Sequence, residues 1–195
     1  DLILKNYPIM EELYTDGIQK DAAPRPSLWK QAATYGIFYA LLSILISVIV
    51  YATGSMMSEP VQYITILVTI VAVILIQLHY RKMLGGTISY GQAVGIVVLS
   101  LLFAAIPVGI YTYCLYKFID PGLIDQMMLN MEEKLVEQGS LSQDMIEDYL
   151  TLFSKFQTPG FMGMSQVLNL PLTGLIIGLI SSIFVRKVSP DKIFE

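Results

Sequence analysis

Every Lys, Arg, Asp and Glu of this 195-residue chain falls outside four runs, 31–58, 61–80, 83–116 and 156–185. A charge at mid-bilayer costs about 2.5–3.5 kcal/mol on the insertion scale, and a helix needs about 20 apolar residues to cross. Each run meets that length. The pattern therefore predicts an all-α fold, a four-span transmembrane helical bundle with spans near 31–53, 61–78, 92–116 and 166–185. The composition agrees: 54% of residues are hydrophobic and 14% charged, with a mean hydropathy of +0.61, outside the range of ordinary soluble domains. The second run is rich in Ile and Val, which form helices poorly in water. Hydrocarbon leaves the backbone no partner but itself, so helix is expected there too.

Between the second and third runs lie Arg81, Lys82 and the paired glycines Gly85 and Gly86. A double glycine accepts positive φ and breaks a helix, so this is a turn. Its two cations place it on the cytoplasmic side. The other flanks alternate in the same sense. Lys20, Arg25 and Lys30 precede the first span, and Arg186, Lys187 and Lys192 follow the fourth. The link 54–60 carries Glu59 and no cation, and the insert 117–160 carries eight acids against three lysines. The expected topology is N-in and C-in, with cytoplasmic tails at 1–29 and 188–195 around a membrane domain at 30–187.

The leading segment is polar and holds Pro8, Pro24 and Pro26; Met10 followed by Glu11 and Glu12 is a plausible start, which would leave 1–9 upstream of the native chain. Trp29 and Lys30 stand where an interfacial anchor belongs. Val50-Tyr51-Ala52 loosely matches a signal-peptidase site, but the apolar run is longer than a signal core, so the segment is read as an anchor.

The insert is expected to form an extracytoplasmic amphipathic helical hairpin. Leu123, Ile124, Met127, Met128, Met131, Leu135 and Val136 recur at helical spacing opposite Glu132, Glu133 and Glu137. Gly139 supplies a stop, and Ser140 with Gln143 reads as a capping box for a second helix. That helix gathers Met145, Ile146, Tyr149, Leu150, Phe153 and Phe156 on one side. The two apolar faces are expected to close on each other or on the outer ends of the spans; a methionine-rich face can also serve as a binding groove.

Within the spans, Pro107 predicts a kink in the third helix. Gly174, Gly178 and Ser182 form a stripe of small residues suited to close helix packing, in the bundle or between copies. Cys114 is the only cysteine and His79 the only histidine. No nucleophile–base pair, paired metal ligands or phosphate-binding glycine loop is present in the sequence, so no catalytic residue, cofactor or metal is expected. The expected partners are the lipid bilayer and either a second copy or another membrane protein, with no nucleic acid. The expected function is non-enzymatic, through protein contacts or as a membrane scaffold. The alternative is a subunit of an oligomeric small-solute permease or channel, favoured by a water-filled cavity reaching Gln77, Pro107 and Asn169.

The opening Leu28-Trp29-Lys30, the turn Gly85-Gly86-Thr87-Ile88-Ser89-Tyr90-Gly91-Gln92-Ala93, the Glu- and Met-rich insert helices and the ending Leu175–Lys187 resemble the bacterial inner-membrane domain-of-unknown-function family numbered 4199. The resemblance covers about Ser27–Lys187. It implies four spans with an outer helical hairpin and carries over no catalytic or ligand residue.

Overall fold

The computed structural model describes residues 27–139 and 141–187. Its helices are α1 (Leu28–Ala52), α2 (Glu59–Met83), α3 (Tyr90–Cys114, continued by a π-helical turn Leu115–Ile119), α4 (Leu123–Gln138), α5 (Gln143–Ser154) and α6 (Pro159–Val185). Helices α1, α2, α3 with its π turn, and α6 are each long and apolar enough to cross a membrane. The chain is thus a multi-pass, all-α membrane protein. Among the described residues the only β pairing is a single antiparallel bridge, Ile88 with Lys187. The bundle has a turn end, at Arg81–Gly91, and a hairpin end, at α4 and α5.

The spans extend beyond the sequence-based boundaries, most of all the fourth, which begins at Pro159 instead of near 166. The reason is local. The Thr158 side chain accepts from the Phe161 amide at 3.3 Å, and Pro159 occupies the first turn, where its missing N–H costs nothing. Asn169 and Pro171 both lie inside the helix. Helix α3 continues through Pro107, and its departure from α geometry comes later, at Leu115–Ile119.

Helix α3 is the hub. Half of its most apolar window is buried, against 17–22% for the other three spans, and it packs most extensively on α6 and α1. Its inward face is Ala93, Ile96, Val97, Ser100, Leu101, Ala104 and Ala105. The outward faces of α1 and α2, such as Phe38, Leu45, Ile64 and Leu67, are left to lipid. Where lipid tails compete equally for apolar surface, helices associate through close backbone approach. Gly36 provides it against α3, since a Cβ there would lie 2.5 Å from the Ser100 carbonyl oxygen. Gly109 and Gly163 provide it between α3 and α6: a Cβ on either would meet the other's carbonyl oxygen at 2.7 Å.

The hairpin stands on the ends of the spans. The Tyr51 hydroxyl donates to Asp120 Oδ2 at 3.3 Å, the Tyr116 hydroxyl donates to Met127 Sδ at 3.5 Å, and Lys134 faces Glu59 at 3.7 Å. Leu115, Tyr116 and Leu123 form a small buried cluster with Ile124, Met127 and Met162 around it. The seam of the hairpin is narrower than the pattern suggests. Leu123 and Ile146 are its buried apolar residues, Met131, Leu135, Leu150 and Phe153 are half-buried, and Met145, Tyr149 and Phe156 are exposed. Gly139 ends α4 at φ 61° as expected, but the N-cap of α5 is Ser142, with no side-chain cap bond, rather than Ser140. Ser140 itself lies outside the described residues.

Candidate functional site

Two features stand out, a clamp at the turn end and a crevice at the hairpin end. The clamp is built by the glycine turn. Gly85 (φ 77°) and Gly86 (φ 91°) reverse the chain after α2. Ser89 then caps α3: its hydroxyl accepts from the Gln92 amide at 3.3 Å, and Gln92 Oε1 accepts from the Ser89 amide at 3.1 Å. This reciprocal capping box aims the strand-like residue Ile88 at the end of α6. There the Ile88 amide donates to the Lys187 carbonyl at 2.9 Å and the Lys187 amide to the Ile88 carbonyl at 3.1 Å.

Side chains complete the clamp. Arg81 Nη1 donates to the Val185 carbonyl at 3.1 Å, a cation on the negative end of the α6 dipole. The Tyr90 hydroxyl donates to the Leu179 carbonyl at 3.1 Å. Beneath them Gln77, fully buried, donates from Nε2 to Ser182 Oγ at 2.9 Å and to the Ala93 carbonyl at 3.2 Å. Lys82 is exposed in the last turn of α2. The turn half of the bundle is therefore tied across three helices and closed.

The small-residue stripe belongs to the same packing. Gly174 faces Leu101, whose Cδ1 lies 2.6 Å from where a Cβ would stand, and Gly178 faces Val97 at 3.5 Å. Ser182 is fully buried against Gln77. All three turn inward, onto α3 or α2.

At the hairpin end α2 leaves the bundle. Its buried residues are Thr69, Val73, Ile76, Gln77 and Tyr80, which run from the middle of the helix to its turn end. The departure opens a crevice of about 440 Å³ between α1 and α2, floored by α3 and Gln166 of α6. Its walls carry Ser43, Ser47, Gln62, Thr65, Thr112 and Gln166 among Ile, Val and Leu, and no charged side chain. The inner end is sealed by Tyr39 and Thr69, whose hydroxyls lie 3.1 Å apart. Thr69 spends its proton on the Thr65 carbonyl at 2.9 Å, so Tyr39 is the donor of that pair.

A second chamber of about 340 Å³ lies beneath the hairpin, bounded by Tyr116, Met127, Phe156, Gln157 and Phe161. It shares Ser47, Met56, Tyr111, Thr112 and Gln166 with the crevice. Gln157 lines this chamber, and its Oε1, like Gln77 Oε1, is buried without a hydrogen-bond partner. Of the three residues expected to mark a transport cavity, Gln77 is sealed in the turn half and Asn169 is exposed on α6, while Pro107 is half-buried next to Val108, which does line the crevice.

A family model described as Protein of unknown function (DUF4199) matches residues 34–187. The chain belongs to this family. The DUF4199 segment begins inside α1, so Leu28-Trp29-Lys30 falls outside it, narrower than the resemblance from Ser27 suggested. It contains the whole glycine turn and ends on Lys187, the residue that pairs with Ile88. No curated protein and no solved structure matches the chain.

Proposed function

We propose that this DUF4199 chain is a non-enzymatic protein of a bacterial inner membrane that works through contacts with another membrane protein, both termini inside and the hairpin outside. The observation that carries this reading is the exposed apolar stripe on α5. Met145, Tyr149 and Leu152 recur at i, i+4 and i+7 and are each 44–57% exposed, and Phe156, just past the end of the helix, is 48% exposed. They adjoin the face that α5 turns to α4, so the helix has more apolar surface than the hairpin uses. Contiguous apolar surface of this kind marks an interaction site. The closed turn half supports the same reading against a permease, which needs a path through Gln77 and its neighbours.

Photo-crosslinking tests the proposal. A benzophenone side chain at Leu152 should give discrete protein adducts in native membranes, and one at Glu133, on the solvated side of α4, should not. Adducts to lipid alone at Leu152 would mean that the stripe rests on the bilayer, and the contact reading would fall.

A further inference from the structure

We infer that the turn end of the bundle binds one phospholipid of net negative charge, its phosphate among Arg81, Lys82, Arg186 and Lys187 and its acyl chains along the end of α6. The cations come from two segments about 104 residues apart, and the clamp brings them together. Arg81 Nη1 reaches the carbonyl of Val185, the residue before Arg186, at 3.1 Å. The backbone bridge to Ile88 holds Lys187. Lys82, Arg186 and Lys187 are exposed, and Arg81 is half-buried. The bond to Val185 uses one of the five guanidinium donors of Arg81 and restrains the plane of the group. The rest of the fork is left to a phosphate, which it fits two oxygens at a time.

Charge selects the headgroup. Among the described residues every Asp and Glu lies at position 59 or within 120–148, at the hairpin end. The ion pair found among them, Lys134 with Glu59 at 3.7 Å, is at that end too. The turn end thus gathers cations with no carboxylate, among the described residues, to neutralise them. A basic cluster bordering membrane helices suits net-negative headgroups. A zwitterionic headgroup would bring its own ammonium up against the same cations, so it is disfavoured. Depth then selects a lipid over a soluble anion. Ile180, Ile183 and Phe184, in the last two turns of α6 before Arg186, are 60–82% exposed. A lipid phosphate held at Arg186 lays its chains on that apolar surface, which inorganic phosphate leaves uncovered. The site lies at the opposite end of the bundle from the α5 stripe, and neither depends on the other.

The test places the full-length chain, whose acids at 191 and 195 can then compete for the cluster, in phosphatidylcholine nanodiscs. Trace phosphatidylglycerol or phosphatidylcholine, each with a diazirine on one acyl chain, is photolysed at equal mole fraction. Phosphatidylglycerol should label 180–184 about tenfold more than phosphatidylcholine. Arg186→Gln and Lys187→Gln should each lower that labelling about fivefold, the weight of one cation beside an anionic headgroup. The two together should remove the preference, although the Ile88 bridge, being backbone, is untouched. Arg186→Lys, which keeps the charge, should label as wild type. Lys155→Gln, at the end of α5, should also change nothing. Inorganic phosphate should displace the lipid no better than chloride at equal ionic strength. Displacement by phosphate alone would make a free anion the ligand, and the lipid assignment would fall. Equal labelling by the two probes, or wild-type labelling of the double variant, would overturn the proposal outright.

Discussion

Gly163→Ala is expected to lower the stability of the bundle by about 1–3 kcal/mol, the usual cost of forcing an added group into a filled core. The added methyl would stand 2.7 Å from the Gly109 carbonyl oxygen and 3.0 Å from Tyr113 Cβ. Neither neighbour can rotate away, because one is backbone and the other is fixed to it, so α6 must move off α3. Gly109→Ala meets the reciprocal obstacle at the same distance. Gly174→Ala should cost less, because its 2.6 Å neighbour is Leu101 Cδ1, a terminal methyl that can change rotamer. Gly178→Ala, with Val97 at 3.5 Å, should be near neutral. Unfolding in mixed detergent micelles measures the series, and size-exclusion chromatography accompanies it. Because the stripe turns inward, Gly178→Leu should destabilise the chain without changing its oligomeric state. A Gly163→Ala variant as stable as wild type would mean that α3 and α6 do not cross at Gly109.

Gly86→Val should release the clamp. At φ 91° an L residue is strained by about 1–3 kcal/mol, and no atom lies within 4 Å of the Cβ position. The penalty is therefore pure backbone strain with no clash added. The turn holds its form through the Gly86 amide on the Arg81 carbonyl at 2.9 Å and the Gly85 amide on the Lys82 carbonyl at 3.2 Å. Relaxing φ breaks these and misaims Ile88. Hydrogen exchange at the Ile88 and Lys187 amides should accelerate roughly five- to a hundredfold, with α1 protection at Ala40 unchanged. Unaltered exchange would mean that the bridge does not depend on the glycine pair.

The four spans were legible because hydrocarbon excludes charge, a one-dimensional constraint that a sequence displays directly. The glycine turn was legible for a similar reason, since Gly85 and Gly86 declare their conformation locally. Its purpose was not, because Lys187 lies a hundred residues beyond Ile88 and nothing local announces an antiparallel bridge. Gln77 and Ser182 were each visible as polar residues in apolar runs, but their bond at 2.9 Å joins positions 105 apart. The Gly109–Gly163 contact has no local signature, because the two glycines lie 54 residues apart in different runs. The early start of α6 has a local signal in Thr158 followed by Pro159, a helix N-terminus within the stretch 117–160 assigned to the insert. The crevice left no trace in sequence. It follows from where α2 parts from α1, a tertiary matter decided by packing at Thr69 and Val73.

Cysteine accessibility along α2 tests most directly whether the bundle is closed at its turn end. In a Cys114→Ser background, a membrane-impermeant thiol reagent applied from the hairpin side should modify Gln138→Cys and Gln62→Cys. It should leave Val73→Cys, Gln77→Cys and Ser89→Cys unmodified, because Val73 and Gln77 are fully buried and Ser89 lies in the turn at the opposite end of the bundle. Modification of Val73→Cys or Gln77→Cys from that side would reveal a continuous path through the bundle, and the closed, contact-making protein described above would have to give way to a transporter.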